Sequence, residues 1–205
     1  MNKVIRPVGV FHEPLMDVLV YETKYQLGYA FARFQEFYEN DVLAGTLFTR
    51  QQLQDLQPEY YVTWSGYNLP PYIVREFKEN GAKWKLDPHE QAALDCMQLG
   101  HYIAGCFVND MMAGTIRHER AHAAWNLDQV YHVGCRDIMH DNDGEIRVKA
   151  GAAIQLMGYS HKVIDDEIQA YTCHGWEKLK LDVGPIPGLR EFQKKHFEHA
   201  WGVFI

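Results

Sequence analysis

No run of lysine or arginine marks this chain of 205 residues, in which 20 basic residues are set against 27 acidic ones for a formal net charge of −7. Neutralising a phosphate backbone takes a basic patch or stripe, so nucleic acid is excluded as the expected partner. Nowhere do 18 apolar residues follow one another, which leaves no candidate for a membrane-spanning helix. Glu13 and Pro14 interrupt the N-terminal apolar stretch. That spoils a secretory signal and makes the cytoplasm the expected compartment. Cys96, Cys106, Cys135 and Cys173 are scattered without C-x-x-C spacing. They are expected to be reduced thiols in a chain large enough to do without staples. A phosphate-cradling G-x-x-x-x-G-K-[ST] loop is also missing, which argues against a nucleotide-driven machine.

What is present is an ordinary globular composition, 47% hydrophobic and 23% charged, long enough for one sizeable core. A single domain spanning residues 1–205 is the expectation. Its central feature is Thr115-Ile116-Arg117-His118-Glu119-Arg120-Ala121-His122, which contains H-E-x-x-H. On a helix, residues four apart lie about 40° apart around the axis and roughly 6 Å along it, so both imidazoles can converge on one metal ion. Glu119 then sits beside the metal, where a carboxylate can take a proton from a zinc-acidified water. With 11 histidines in the chain, random ordering produces this pentapeptide in roughly 4% of shuffles, so its surroundings must carry the rest.

Those surroundings are favourable. Tyr102 to Val108 reads as a short strand, Asn109 and Asp110 can cap a following helix, and small residues from Ala113 to Ala124 would let that helix pack closely. Upstream, Asp17 to Tyr21 is expected to be the first strand, and Lys24 to Asn40 an amphipathic helix whose aromatic residues face the core. Thr49 to Gln52 reads as a capping box opening a short helix through Leu56, with a second strand at Tyr60 to Trp64. Ser65 to Pro71 reads as a turn, and Asp87-Pro88 starts a helix running to about Leu99.

After the motif, Asn126 to Asp128 ends the active helix. Asp128 lies where one zincin pattern places a third ligand, but that pattern needs a glycine where this chain has Trp125. Asp141 to Glu145 resembles a calcium loop yet fails its spacing and reads as a solvated turn. Ile164, Ile168 and Tyr171 recur at helical spacing, so a second helix carrying Glu167 is expected. A carboxylate there can complete a metal site, with Tyr171 one turn on. Equally, Asp165-Asp166-Glu167 can be a solvated acidic patch favoured by a helix N-terminus.

The pair T-I-x-H-E-x-A-H and G-Y-x-x-x-V-x-x-D-E-x-x-A-Y resembles the gluzincin arrangement. More narrowly, it is similar to a family of small bacterial and phage proteins carrying both motifs. The resemblance extends upstream to Arg33 to Tyr38 and to Gly66 to Pro70. It implies that His118, His122 and Glu167 hold one Zn²⁺ and that Glu119 is the general base. One position departs from the family, where glycine often follows the second histidine and this chain has Ala123. The fold it implies is α+β and zincin-like, a small sheet packed on the active-site helix with a mostly helical C-terminal half.

The expected function is that of a zinc metallopeptidase acting on a peptide or protein substrate. Tyr171, Tyr159, Tyr131 and His161 are candidates to steady the oxyanion, with Tyr171 and Tyr159 preferred because the second motif contains both. The alternative is a module that keeps the scaffold and its metal without turnover, since an intact ligand set shows binding alone.

Overall fold

The structure, a computed structural model, describes residues 3–14, 16–40, 42–141 and 144–202. Its class is α+β, with one four-stranded sheet and nine α-helices among the described residues. The chain forms two compact units, Met1–Ile116 and Arg117–Ile205, taken here in turn.

The first unit holds the sheet, made of β1 (Gly9–His12), β2 (Met16–Tyr21), β3 (Gly66–Leu69) and β4 (Tyr102–Phe107) in the order β1-β2-β4-β3. β2 and β4 run parallel at its centre, and the outer strands are antiparallel to them. All six residues of β2 are buried, which is why its sequence shows no alternation. It is not the first strand, because the short edge strand β1 precedes it. Two of the four β1 residues are exposed, so β1 carries little hydrophobic signal.

Helix α1 (Lys24–Glu39) starts at Thr23, whose hydroxyl accepts from the Gln26 N–H. Leu27 and Phe31 on this helix lie so close to Gly105 of β4 that an added Cβ would come within 2.9 Å and 3.0 Å of them, and glycine is what lets helix and strand meet. Leu19, Tyr21, Leu27, Phe31, Phe34, Phe77 and Trp84 belong to the core built there. Burying each such side chain stabilises the unit by about 1.5–3 kcal/mol.

Helix α2 (Arg50–Leu56) forms both halves of the Thr49/Gln52 capping box, as its sequence predicts. The next two expectations are overturned. Tyr60–Val62 is a short 3₁₀ turn where a strand was expected, and the expected turn at Ser65 to Pro71 contains β3. Pro70 then caps α3 (Pro71–Trp84), and Pro71 opens it. Neither proline obstructs regular structure. The strand ends at Leu69, so no ladder bond is lost, and proline in a first helical turn gives up an N–H that has no intrahelical partner. Helix α4 (Pro88–Cys96) begins on Asp87, as expected, and stops short of Leu99.

The second unit contains no strand among its described residues. Helix α5 (Met112–Leu127) opens in the first unit and continues into the second from Arg117. Asn109 leads into it, its side chain accepting from the Met111 N–H at 2.6 Å. Asp128 ends α5 and caps α6 (Gln129–Asp141) by accepting from the Val130 and Tyr131 N–H groups. Of the acidic turn that follows, Asn142 and Asp143 lie outside the described residues. Then come α7 (Gly144–Leu156), α8 (Ile164–Cys173) and α9 (Leu189–His196). Among the described residues no helix is long and apolar enough to cross a membrane. None of the four cysteines is in a disulfide.

Candidate metal centre

The sequence around His118 forms a helix because Ala121, Ala123 and Ala124 fill its inner face with almost no side-chain entropy to lose, and all three are fully buried. That tight face carries His122 inward to 2% exposure and Glu119 to 4%. His118 stands one turn before His122, and their Nε2 atoms are 3.2 Å apart. Glu167, 2% exposed on α8, brings one carboxylate oxygen to 3.5 Å from His122 Nε2 and the other to 3.7 Å from His118 Nε2. Ligand atoms of the three residues all lie within 4.8 Å of one another, the only such group of three or more among the described residues.

The other face of each imidazole fixes its tautomer. His118 Nδ1 is 3.2 Å from the His174 carbonyl oxygen, and His122 Nδ1 is 2.8 Å from Asp166 Oδ1. Each of those partners is an acceptor, so each Nδ1 carries the hydrogen and donates it. In the neutral rings both Nε2 lone pairs then point into one space, as they do when a second shell prepares histidines for metal. Ligand bonds near 2.1 Å at a tetrahedral ion put ligand atoms about 3.4 Å apart, close to the three separations found here. Glu167 Oε2 is also buried with no hydrogen-bond partner, as is Glu119 Oε2. The donor set fits zinc.

Electrostatics point the same way. Glu119, Asp166 and Glu167 are all buried around two imidazoles. Burial disfavours the charged His122, but the Asp166, Glu167 and Glu119 carboxylates outweigh it and raise its proton affinity well above that of ordinary histidine. A field that draws protons draws a divalent cation as well. Burial raises the Glu119 carboxyl above the usual range, with the two histidines opposing the shift and Glu167 and Asp166 adding to it.

Tyr171 lies with its ring 4.8 Å from that of His118, centroid to centroid, and its hydroxyl is 3.2 Å from that of Tyr159. Burial chiefly, and the Glu167 charge next, keep the Tyr171 phenol protonated. Two further candidates are engaged elsewhere. Tyr131 donates to Gln169 at 2.8 Å, and Asp128, besides capping α6, holds His196 at 2.7 Å. His161 lines an open cavity with Arg147, Lys162 and Asp165. Sequence reasoning missed Asp166 as the partner of His122 and the His174 carbonyl as the partner of His118. Asp166 was visible only as part of an acidic run, and a backbone carbonyl carries no sequence signal at all. No family model, curated protein or solved structure matches this chain.

Proposed function

We propose that the chain is a zinc-dependent metallopeptidase of the gluzincin type, with a zincin-like arrangement of its active helices, hydrolysing an amide bond of a peptide or protein. The observation that carries the reading is the facing pair of Nε2 atoms 3.2 Å apart, with the Glu167 carboxylate closing the triangle. His118, His122 and Glu167 would hold the ion. Zinc bound there supplies acidification of a water and polarisation of the scissile carbonyl.

The remaining chemistry belongs to the chain itself. Glu119 takes the proton from the attacking water and delivers it to the leaving nitrogen, so that water is added across the C–N bond. Its unpartnered Oε2 leaves a carboxylate oxygen available for that transfer. The Tyr171 phenol, hydrogen-bonded with Tyr159, donates to the oxyanion that develops on the carbonyl. A peptide library incubated with zinc-loaded protein, with and without chelator, tests the proposal. Chelator-sensitive cleavage supports it. Absent or chelator-insensitive turnover would instead describe a module that holds metal without acting on substrate.

A further inference from the structure

Behind His122 lies a chain of buried polar groups that the proposed reaction does not use. Asp166 Oδ1 accepts from His122 Nδ1 at 2.8 Å and from Gln169 Nε2 at 2.9 Å. Gln169 Oε1 accepts from the Tyr131 hydroxyl at 2.8 Å, and the Tyr131 oxygen in turn accepts from Gln193 Nε2 at 2.9 Å. Gln193 Nε2 also donates to the Gln169 main-chain oxygen at 2.8 Å. Gln169, Tyr131 and Gln193 are completely buried, and Asp166 is 8% exposed. The five residues come from four helices, α5, α8, α6 and α9.

The direction of every bond follows from one carboxylate. An ionised Asp166 only accepts, so Gln169 must turn its amide nitrogen toward it and its oxygen toward Tyr131. Tyr131 must then donate to Gln169, which leaves its own oxygen to accept from Gln193. Reversing Gln169 would set its oxygen against Asp166 Oδ1, and reversing Gln193 would set its oxygen against both the main-chain and the side-chain oxygen of Gln169. Gln193 keeps its orientation although its Oε1 is buried without a partner, at a cost of the order that leaving a buried acceptor unmade carries.

We infer that Gln169, Tyr131 and Gln193 are positioning residues which, through Asp166, fix the tautomer and ring angle of His122 and thereby set the affinity and geometry of the metal centre. The inference rests on the metal reading proposed above. A network that served only to hold the helices together would alter stability and leave the bound metal unchanged. The relay predicts that the metal itself reports each break.

The test measures zinc affinity of the full chain by competition with a chromophoric chelator, and the visible absorption spectrum of the cobalt-loaded protein. Gln169→Met keeps the volume and removes the hydrogen bonds of the side chain to Asp166, Tyr131 and Gln193. It is expected to weaken zinc binding about 10-fold, the lower end for partners of metal-bound histidines, and to shift the cobalt bands. Tyr131→Phe is the conservative variant, because Gln193 Nε2 already lies 3.3 Å from Gln169 Oε1 and can take the place of the hydroxyl. Its effect should be clearly smaller and in the same direction. If Gln169→Met fails to fold, Gln193→Met must show the shifted bands in its place. Zinc affinity and cobalt spectrum unchanged in the folded variant, with the wild type binding normally, overturn the relay alone. A wild type that takes up neither metal overturns the metal reading, and the relay with it.

Discussion

In the first unit, the buried carboxylate of Glu90 ends among donors. Arg33 and Arg50 each reach it at 2.9 Å, and the Asp87 N–H bonds it at 3.0 Å, so both of its oxygens are satisfied. In the second unit, the buried carboxylates of Glu167 and Glu119 each keep an oxygen with no hydrogen-bond partner, and Glu167 faces the Nε2 atoms of His118 and His122 at 3.7 Å and 3.5 Å. Both clusters join helices distant in sequence, and both bury acids that would cost several kcal/mol if left alone. Glu90 is compensated by cations of the chain itself, which makes its cluster a fastening. Among the described residues no arginine or lysine is paired with Glu119, Asp166 or Glu167, and on the proposed reading a metal ion compensates them.

If that contrast holds, substitutions on the two sides behave differently. The largest effect is expected from Glu119→Gln, which should lower turnover by about 10²-fold to 10⁴-fold, the loss that follows removal of a general base. Zinc content and melting temperature should stay close to wild type. A collapse of stability would mean that Glu119 is scaffold like Glu90.

Next comes Glu90→Ala, which leaves the buried Arg33 without a carboxylate and Arg50 with Asp87 alone, and should cost about 3–5 kcal/mol in urea unfolding, equally with and without chelator. The contrasting variant is Glu167→Gln. In metal-free protein it removes one of three crowded acids, so stability should not fall, whereas the stabilisation added by zinc should be largely lost. A loss with Glu167→Gln in chelator as large as that with Glu90→Ala would erase the distinction.

The smallest effect concerns Asp128, which lies in the same unit as the candidate metal centre but is satisfied in the manner of Glu90. Burial pushes its carboxyl up, but the Tyr131 N–H and the His196 and Trp201 side chains more than offset this and hold it below the usual range. Asp128→Ala should cost about 1 kcal/mol, typical of a lost helix cap. A folded-state value below the unfolded one means that this stabilisation is fully present above about pH 4 and fades as pH falls through the folded value. Unfolding curves of wild type and variant should therefore converge in acid. A gap that persists at low pH would show that Asp128 acts through packing.

The sequence carried the parts of this account that depend on local rules. The caps at Thr49 and Asp87, the buried strand from Asp17 to Tyr21 and the helices bearing His118 and Glu167 all follow from residue type and spacing. What it did not carry depends on neighbours far along the chain. β3 exists because Gly66 to Leu69 pairs with Ile103 to Cys106, although its own residues read as a turn. Asp166 became the partner of His122 only when α8 met α5, 44 residues away in sequence. Glu90 looked like part of a helix start, and nothing nearby announced that Arg33, 57 residues earlier, would meet it.

The most direct measurement is a calorimetric titration of zinc into metal-free wild type, Glu167→Ala and Glu119→Gln. The wild type should take up one equivalent. Glu119→Gln should do the same with similar affinity, and Glu167→Ala should bind far more weakly because it lacks the anionic ligand. Absence of a site near one equivalent in the wild type, or zinc retained in Glu167→Ala and lost in Glu119→Gln, would contradict the assignment of ligand and base.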